Sequence, residues 1–210
     1  MKNEGILIVV SGFSGAGKGT LMKELLKTYD NYALSISMTS RGPRPGETDG
    51  KEYFFVDRET FEQKIAEDGF IEYAQYCDNY YGTPADYVNS QLKEGKDVIL
   101  EIEIQGAMKV KERFPDALLL FVMPPSAEEL QRRLVGRGTE TEEVIAKRMS
   151  RANEEALGIE QYDYIVINDD LERCTEEMHS IVQATHNEPK RNQAFIDQIR
   201  TELKKYSKGE

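Results

Sequence analysis

The sequence predicts an α/β protein: a phosphate-binding-loop (P-loop) core built on a five-stranded parallel sheet, carrying a small mixed α/β insertion and a helical lid. Three observations predict it. Five short apolar runs alternate with helical patterns, as strands do when a parallel sheet is covered on both faces. A glycine-rich segment joins the first run to the first helix. The alternation breaks twice, once into aromatic and Pro/Gly-rich text and once into a helical hairpin.

The runs are Ile6 to Val10, Ala33 to Ile36, Val98 to Ile104, Ala117 to Val122 and Tyr164 to Ile167. The first helix carries Leu21, Met22, Leu25, Leu26 and Tyr29 on one stripe, which is core spacing. The first break, 38–89, opens with the loop from Arg41 to Gly46 and continues into short strands at Tyr53 to Val56, Phe70 to Ala74 and Asn79 to Gly82. Within it Asp57 caps a helix running to Asp68 with Gly69 as its stop, and Thr83-Pro84 reads as N-cap and N1 proline of another helix ending near Gly95. The second break, 126–151, follows Pro124-Pro125. Ser126 with Glu129 makes one capping box and Thr139 with Glu142 a second, around a Gly136-Arg137-Gly138 tip suited to a hinge. The core is thus expected from 1–37, 90–125 and 152–210, and the tail from Glu188 reads as a closing helix.

The 210 residues carry 27 Lys and Arg against 38 Asp and Glu, a net charge of -11. That balance repels nucleic-acid backbones and anionic membranes, so neither is expected as a partner. The longest apolar run is far short of a bilayer span, and no signal-peptide pattern precedes the first strand, which points to a cytoplasmic protein. Cys77 and Cys174 lie far apart, away from His179 and His186. No disulfide framework, zinc site or Cys/His nucleophile is indicated.

The chemistry concentrates in Gly12, Phe13, Ser14, Gly15, Ala16, Gly17, Lys18, Gly19 and Thr20, set between strand and helix. Glycines leave backbone N–H groups free to wrap an oxyanion, the helix N-terminus adds a positive dipole, and Lys18 neutralises β- and γ-phosphates. Gly19 stands where a strict P-loop has the Mg²⁺-binding Ser or Thr, so Thr20 or bridging waters are left to hold the ion. Glu101 and Glu103 are read as two carboxylates on one face of the third strand, suited to hydrated Mg²⁺ or to a substrate donor; an edge strand with one wet face is the plainer alternative. Arg41 and Arg44 gather in the Pro-rich loop, and Arg132, Arg133, Arg137, Arg148 and Arg151 in the hairpin, where guanidinium groups suit phosphate clamping. On their own, Ser37, Tyr53, Glu72, Tyr81 and Thr83 fit ordinary core, strand-face or capping roles.

Taken together, Ser37-x-x-x-Arg41-x-x-Arg44-x-Gly46, Gly50-x-x-Tyr53-x-Phe55, Glu72, Tyr81-Gly82-Thr83, Gln105-Gly106 and Gly136-Arg137-Gly138-Thr139 resemble the guanylate kinase family, in unbroken order from about Gly5 to His186. The resemblance implies transfer of a phosphoryl group from ATP to GMP, with dGMP as a further acceptor and Mg²⁺ as cofactor. It implies that 38–89 binds GMP: Ser37, Arg41, Arg44, Tyr53 and Tyr81 hold its phosphate, and Glu72 and Thr83 read guanine. Lys18, Arg133, Arg137 and Arg148 attend the phosphoryl group, with Arg41 beside them, and Asn168 lies near adenine. Glu101 and Glu103 stand where that family more often shows Asp. Guanine suits Glu72, since its N1–H and N2–H₂ are adjacent donors. Two other functions stay open, a P-loop kinase for another small monophosphate and a non-catalytic binding module, as does assembly into a homo-oligomer.

Overall fold

The computed structural model describes residues 4–76, 78–136 and 141–206. The first strand, β1 (Leu7–Gly12), is buried along almost its whole length and runs into helix α1 (Lys18–Thr28), whose Leu21, Met22 and Leu25 face the core. After β2 (Tyr32–Leu34) the chain enters the first insertion. It forms β3 (Met38–Thr39), β4 (Phe54–Phe55), helix α2 (Arg58–Ala66), and the hairpin strands β5 (Phe70–Tyr76) and β6 (Asn79–Pro84). Helix α3 (Ala85–Lys93) leads back to β7 (Asp97–Glu101), α4 (Ile104–Arg113) and β8 (Leu118–Met123). The hairpin helices α5 (Ala127–Gly136) and α6 (Glu142–Ala156) precede β9 (Tyr164–Ile167), α7 (Leu171–His186) and α8 (Gln193–Leu203).

Five strands form one parallel sheet in the order β2-β7-β1-β8-β9, as expected for a doubly wound core. Its continuous apolar strands are the reason: β7, β1 and β8 are flanked on both sides and bury nearly every side chain. A second, mixed sheet has the order β4-β3-β6-β5, with β3 and β4 parallel and the other pairs antiparallel. Helix α4 packs against both β1 and β5 and so joins the two sheets.

Several local expectations change. The third apolar run is not one strand through Ile104: β7 ends at Glu101, and Glu103 is the N-cap of α4, its carbonyl already accepting from Ala107 N–H at 3.0 Å. Glu101 and Glu103 therefore do not share a strand face, and β7 is an interior strand rather than an edge. Ile102 and Ile104 still pack on the core, which is why the apolar alternation continues past the strand's end. Thr83 is not a helix cap. It lies in β6, fully buried, and Pro84 takes the N-cap position of α3. Helix α2 is capped by Asp57 as read, its carboxylate accepting from Thr60 N–H at 2.7 Å, but the left-handed residue at its end is Asp68 (φ 54°) and not Gly69. Thr139 lies outside the described residues, and α6 is capped by Thr141. Two residues of β3 in the middle of the second sheet were invisible to periodicity.

Candidate phosphoryl-transfer site

The carboxyl end of β1 turns into the glycine-rich loop. Gly12 lies so close to β8 that a Cβ there would stand 2.0 Å from the Val122 carbonyl oxygen. Gly17, the N-cap of α1, has φ 91°, and a Cβ there would stand 2.4 Å from Asn168 Nδ2. Any side chain at either position meets backbone strain or a clash. Phe13 anchors the loop by an edge-to-face contact with Phe121 at 5.1 Å. Lys18 Nζ folds over the loop and donates to the Gly12 and Phe13 carbonyls at 2.7 and 3.3 Å. Ser14 and Gly15 are half-buried, whereas Gly19 and Thr20 are exposed in the first turn of α1. An ammonium, a helix N-terminus and a glycine-lined turn thus converge where an oxyanion is best accommodated.

Two hairpin arginines reach this loop. Arg148 donates to the Ser14 hydroxyl. Arg133 has all three guanidinium nitrogens engaged: Nε donates to Glu129 at 2.7 Å, Nη1 to the Ala16 carbonyl at 3.2 Å and Nη2 to the Asn168 carbonyl at 2.7 Å. Buried Asn168 also gives its side-chain amide to the Ala16 carbonyl at 2.8 Å, so that donor is used within the protein. Arg137 lies outside the described residues. Glu101 ends β7 exposed and in register with Val10 of β1, at the same edge of the sheet as the loop. Glu103 pairs with Arg151 at 2.7 Å.

The second sheet gathers a different set. Arg41, just past β3, makes a two-pronged ion pair with Glu47, both bonds at 2.9 Å, and lies over the rings of Tyr53 and Phe55 at 5.5 and 5.7 Å. The Glu47 hydrogen bonds raise the Arg41 guanidinium above its ordinary value, with a smaller contribution from Tyr81, and the same pairing holds the Glu47 carboxyl below the usual range. Glu47 also accepts from Arg44 N–H at 2.7 Å. It therefore fixes the whole arginine loop, a role the sequence reading missed although an acid three residues after Arg44 was the available signal. Arg41 Nε is buried with no acceptor among the described residues. Tyr53 and Tyr81 meet edge to face at 6.1 Å, and Ser37 contributes its carbonyl to Phe54 N–H at 2.8 Å.

Two residues along β6 from Tyr81, and on the same face, is Thr83. Its hydroxyl donates to Glu72 at 2.8 Å across the β5–β6 ladder. Burial pushes the Glu72 carboxyl up, with the Thr83 hydrogen bond and the Lys109 charge pulling it partly back. A half-buried carboxylate with one side-chain donor among the described residues is poised to accept more.

Known proteins resemble this chain along most of its length. A sequence-family model described as guanylate kinase matches residues 4–185. The guanylate kinase of Caldanaerobacter subterraneus subsp. tengcongensis is 50% identical over 202 residues, covering 96% of this chain and 98% of that one. That of Lactococcus lactis subsp. lactis is 51% identical over 186 residues, covering 89% and 91%. The crystal structure of guanylate kinase from Anaplasma phagocytophilum superposes with a TM-score of 0.69 at 33% identity, covering 90% of each chain. With strand, loop and two hairpin arginines described and relatives matched along nearly their whole length, the chain belongs to the guanylate kinase family.

Proposed function

We propose that this protein transfers the γ-phosphoryl group of ATP to a phosphate oxygen of GMP, breaking the bond to the β,γ-bridging oxygen and forming ADP and GDP. The observation that carries the reading is β6, which turns Tyr81 toward the Arg41 cage and Thr83 toward Glu72 on one face. An anion cage and a half-buried acceptor for base donors, both touched from one face of β6, suit a nucleoside monophosphate, and a carboxylate acceptor suits guanine. Arg41, Arg44, Ser37, Tyr53 and Tyr81 hold the GMP phosphate in this reading, and Glu72 with Thr83 reads the base. The orphaned Arg41 Nε supplies a donor for that phosphate.

On the donor side, the loop from Gly12 to Thr20 wraps the ATP phosphates while Lys18, Arg137 and Arg148 balance charge as the phosphoryl group moves in line. Exposed Thr20 and Glu101 would hold Mg²⁺, directly or through water, as oxygen ligands suited to that ion; Glu103, paired with Arg151, is the weaker ligand. Bound there, Mg²⁺ would supply neutralisation of the donor's β- and γ-oxygens. Residues 1–37, 90–125 and 152–210 act as core, 38–89 as the GMP-binding part and 126–151 as a lid that excludes water. Among the described residues no helix is long and apolar enough to cross a membrane. A cytoplasmic location goes with ATP as donor.

The test is ADP production with GMP, AMP, UMP and CMP in turn. Strong preference for GMP is expected. A preference for AMP would make the protein a different monophosphate kinase, and no turnover with any of the four would make it a binding module.

A further inference from the structure

The first helix of the lid breaks a local rule. Ser126 Oγ accepts from Glu129 N–H at 3.1 Å, the first half of a capping box, but the Glu129 carboxylate does not return to the cap. It turns instead to Arg132 and Arg133, with bonds of 2.7 Å to each. A helix that gives up half of its cap uses that side chain elsewhere. The two guanidinium groups hold the Glu129 carboxyl down at about 2, so it remains an anion at every working pH. Arg132 points to solvent, with 75% of its side chain exposed, and Arg133 points inward with 23%.

What Arg133 reaches is one carbonyl of the phosphate loop. Ala16 O accepts from Arg133 Nη1 and from Asn168 Nδ2. The Ala16–Gly17 peptide is trans, so its carbonyl and its N–H point in opposite directions. Two donors thus hold the carbonyl on the side of α5 and β9, and the Gly17 N–H lies on the opposite side of the same peptide. A cationic donor on the carbonyl also polarises that N–H. Lysine cannot reproduce this, because three acceptors are met at once by a planar fork.

We propose that Glu129 and Asn168 are positioning residues: Glu129 aims Arg133, and Arg133 with Asn168 fixes the Ala16 carbonyl so that the Gly17 N–H faces a donor phosphate. The proposal rests on the phosphoryl-transfer reading for its substrate but is read out by nucleotide binding alone. Arg133 acts on the loop peptide and not as a free charge near the phosphates. Asn168 acts on the same atom through its Nδ2.

The experiment measures Mg-ADP dissociation constants, the KM for ATP and the KM for GMP in Glu129→Gln, Arg133→Lys, their double variant and Arg132→Ala, all well below each variant's Tm. Glu129→Gln and Arg133→Lys are expected to weaken Mg-ADP and raise the ATP KM by about tenfold each, as loss of charged hydrogen bonds does. The GMP KM should stay within about twofold. The double variant should be little worse than either single one, because Glu129 works through Arg133. Arg132→Ala should match the parent, and the Gly17 amide resonance should move in Glu129→Gln but not in Arg132→Ala. Parental ADP affinity in Glu129→Gln, or in Arg133→Lys where the positive charge is kept, overturns the proposal. Additive losses would overturn the through-Arg133 route. If the parent binds Mg-ADP but does not phosphorylate GMP, the functional reading fails while this binding test still stands.

Discussion

The phosphate loop and the arginine loop of the second sheet both present cations for an anion, yet they are held in opposite ways. In the first, the chain itself makes the site: consecutive residues, Gly12 pressed against the backbone of β8 and Gly17 against Asn168, and carbonyls tied by Lys18, Arg133 and Asn168. In the second, side chains hold side chains, with Arg41 kept by Glu47 of its own loop and by Tyr53 and Phe55 at β4. Backbone-made sites tolerate almost no substitution at the glycines but do not discriminate among nucleotides. Side-chain sites are where the choice of substrate is encoded, and they are the easier to retune.

The largest test of that contrast is Lys18→Met. Turnover should fall by roughly 10²-fold or more with both KM values moving less, as loss of a transition-state donor requires. Stability should change by about 1–3 kcal/mol, as loss of its bonds to two loop carbonyls among its contacts implies. A variant with near-parent turnover would remove the loop from the chemistry.

Next comes Glu72→Gln, which replaces one acceptor oxygen by a donor that faces the donors of guanine. kcat/KM for GMP should drop by roughly tenfold at least, while the much poorer use of AMP falls less or rises. An equal loss for both substrates would make Glu72 structural. Because burial raises the Glu72 pKa in the folded protein, ionising it at neutral pH opposes folding: the stability it contributes is present below the unfolded value and lost as pH rises through the folded one. Glu72→Gln should therefore hold or raise Tm at neutral pH while it loses activity. The same shift predicts that the GMP KM of the parent climbs as pH falls toward the raised value, and that the climb vanishes in Glu72→Gln. A parent KM that stays flat with pH would remove the ionised carboxylate from base recognition.

Glu47→Gln should be milder. Arg41 keeps its aromatic walls but loses its two-pronged partner, so the GMP KM is expected to rise about fivefold with the ATP KM unchanged. A rise in the ATP KM instead would show that the two loops are not separable. The smallest signal is in scattering: GMP with a non-hydrolysable ATP analogue should lower the radius of gyration relative to either nucleotide alone. Equal radii in all three states would argue against a closing lid.

This contrast also explains what the amino-acid sequence disclosed. The core strands are buried on both faces, so each reads as an unbroken apolar run, and the phosphate loop is legible because its determinants are adjacent. Met38-Thr39 is too short to have a period. Ile102 and Ile104 kept the apolar rhythm of β7 going after the backbone had left the sheet, which misassigned Glu103. Tyr53, Glu72, Tyr81 and Thr83 each fit an ordinary role, and only the contacts of Tyr53 with Tyr81 and of Glu72 with Thr83 bring them together as a candidate site. Glu47 and Glu129 escaped because their importance lies in which arginine they hold, a relation that residue type alone does not carry.

The central place of β1 has a consequence for synthesis. Its partners β7 and β8 lie far down the chain, and the bond from Ile6 N–H to Asp97 spans 91 residues. At the usual pace of translation that separation leaves a bare Ile-Leu-Ile-Val-Val segment waiting on the order of 5–20 s for its neighbours, a window in which nascent chains rely on holding factors. The phosphate loop is made early and completed late, for the donors that set the Ala16 carbonyl arrive 117 and 152 residues after it. A chain stalled before Asn168 would thus expose a sticky strand while lacking the means to capture a stabilising nucleotide.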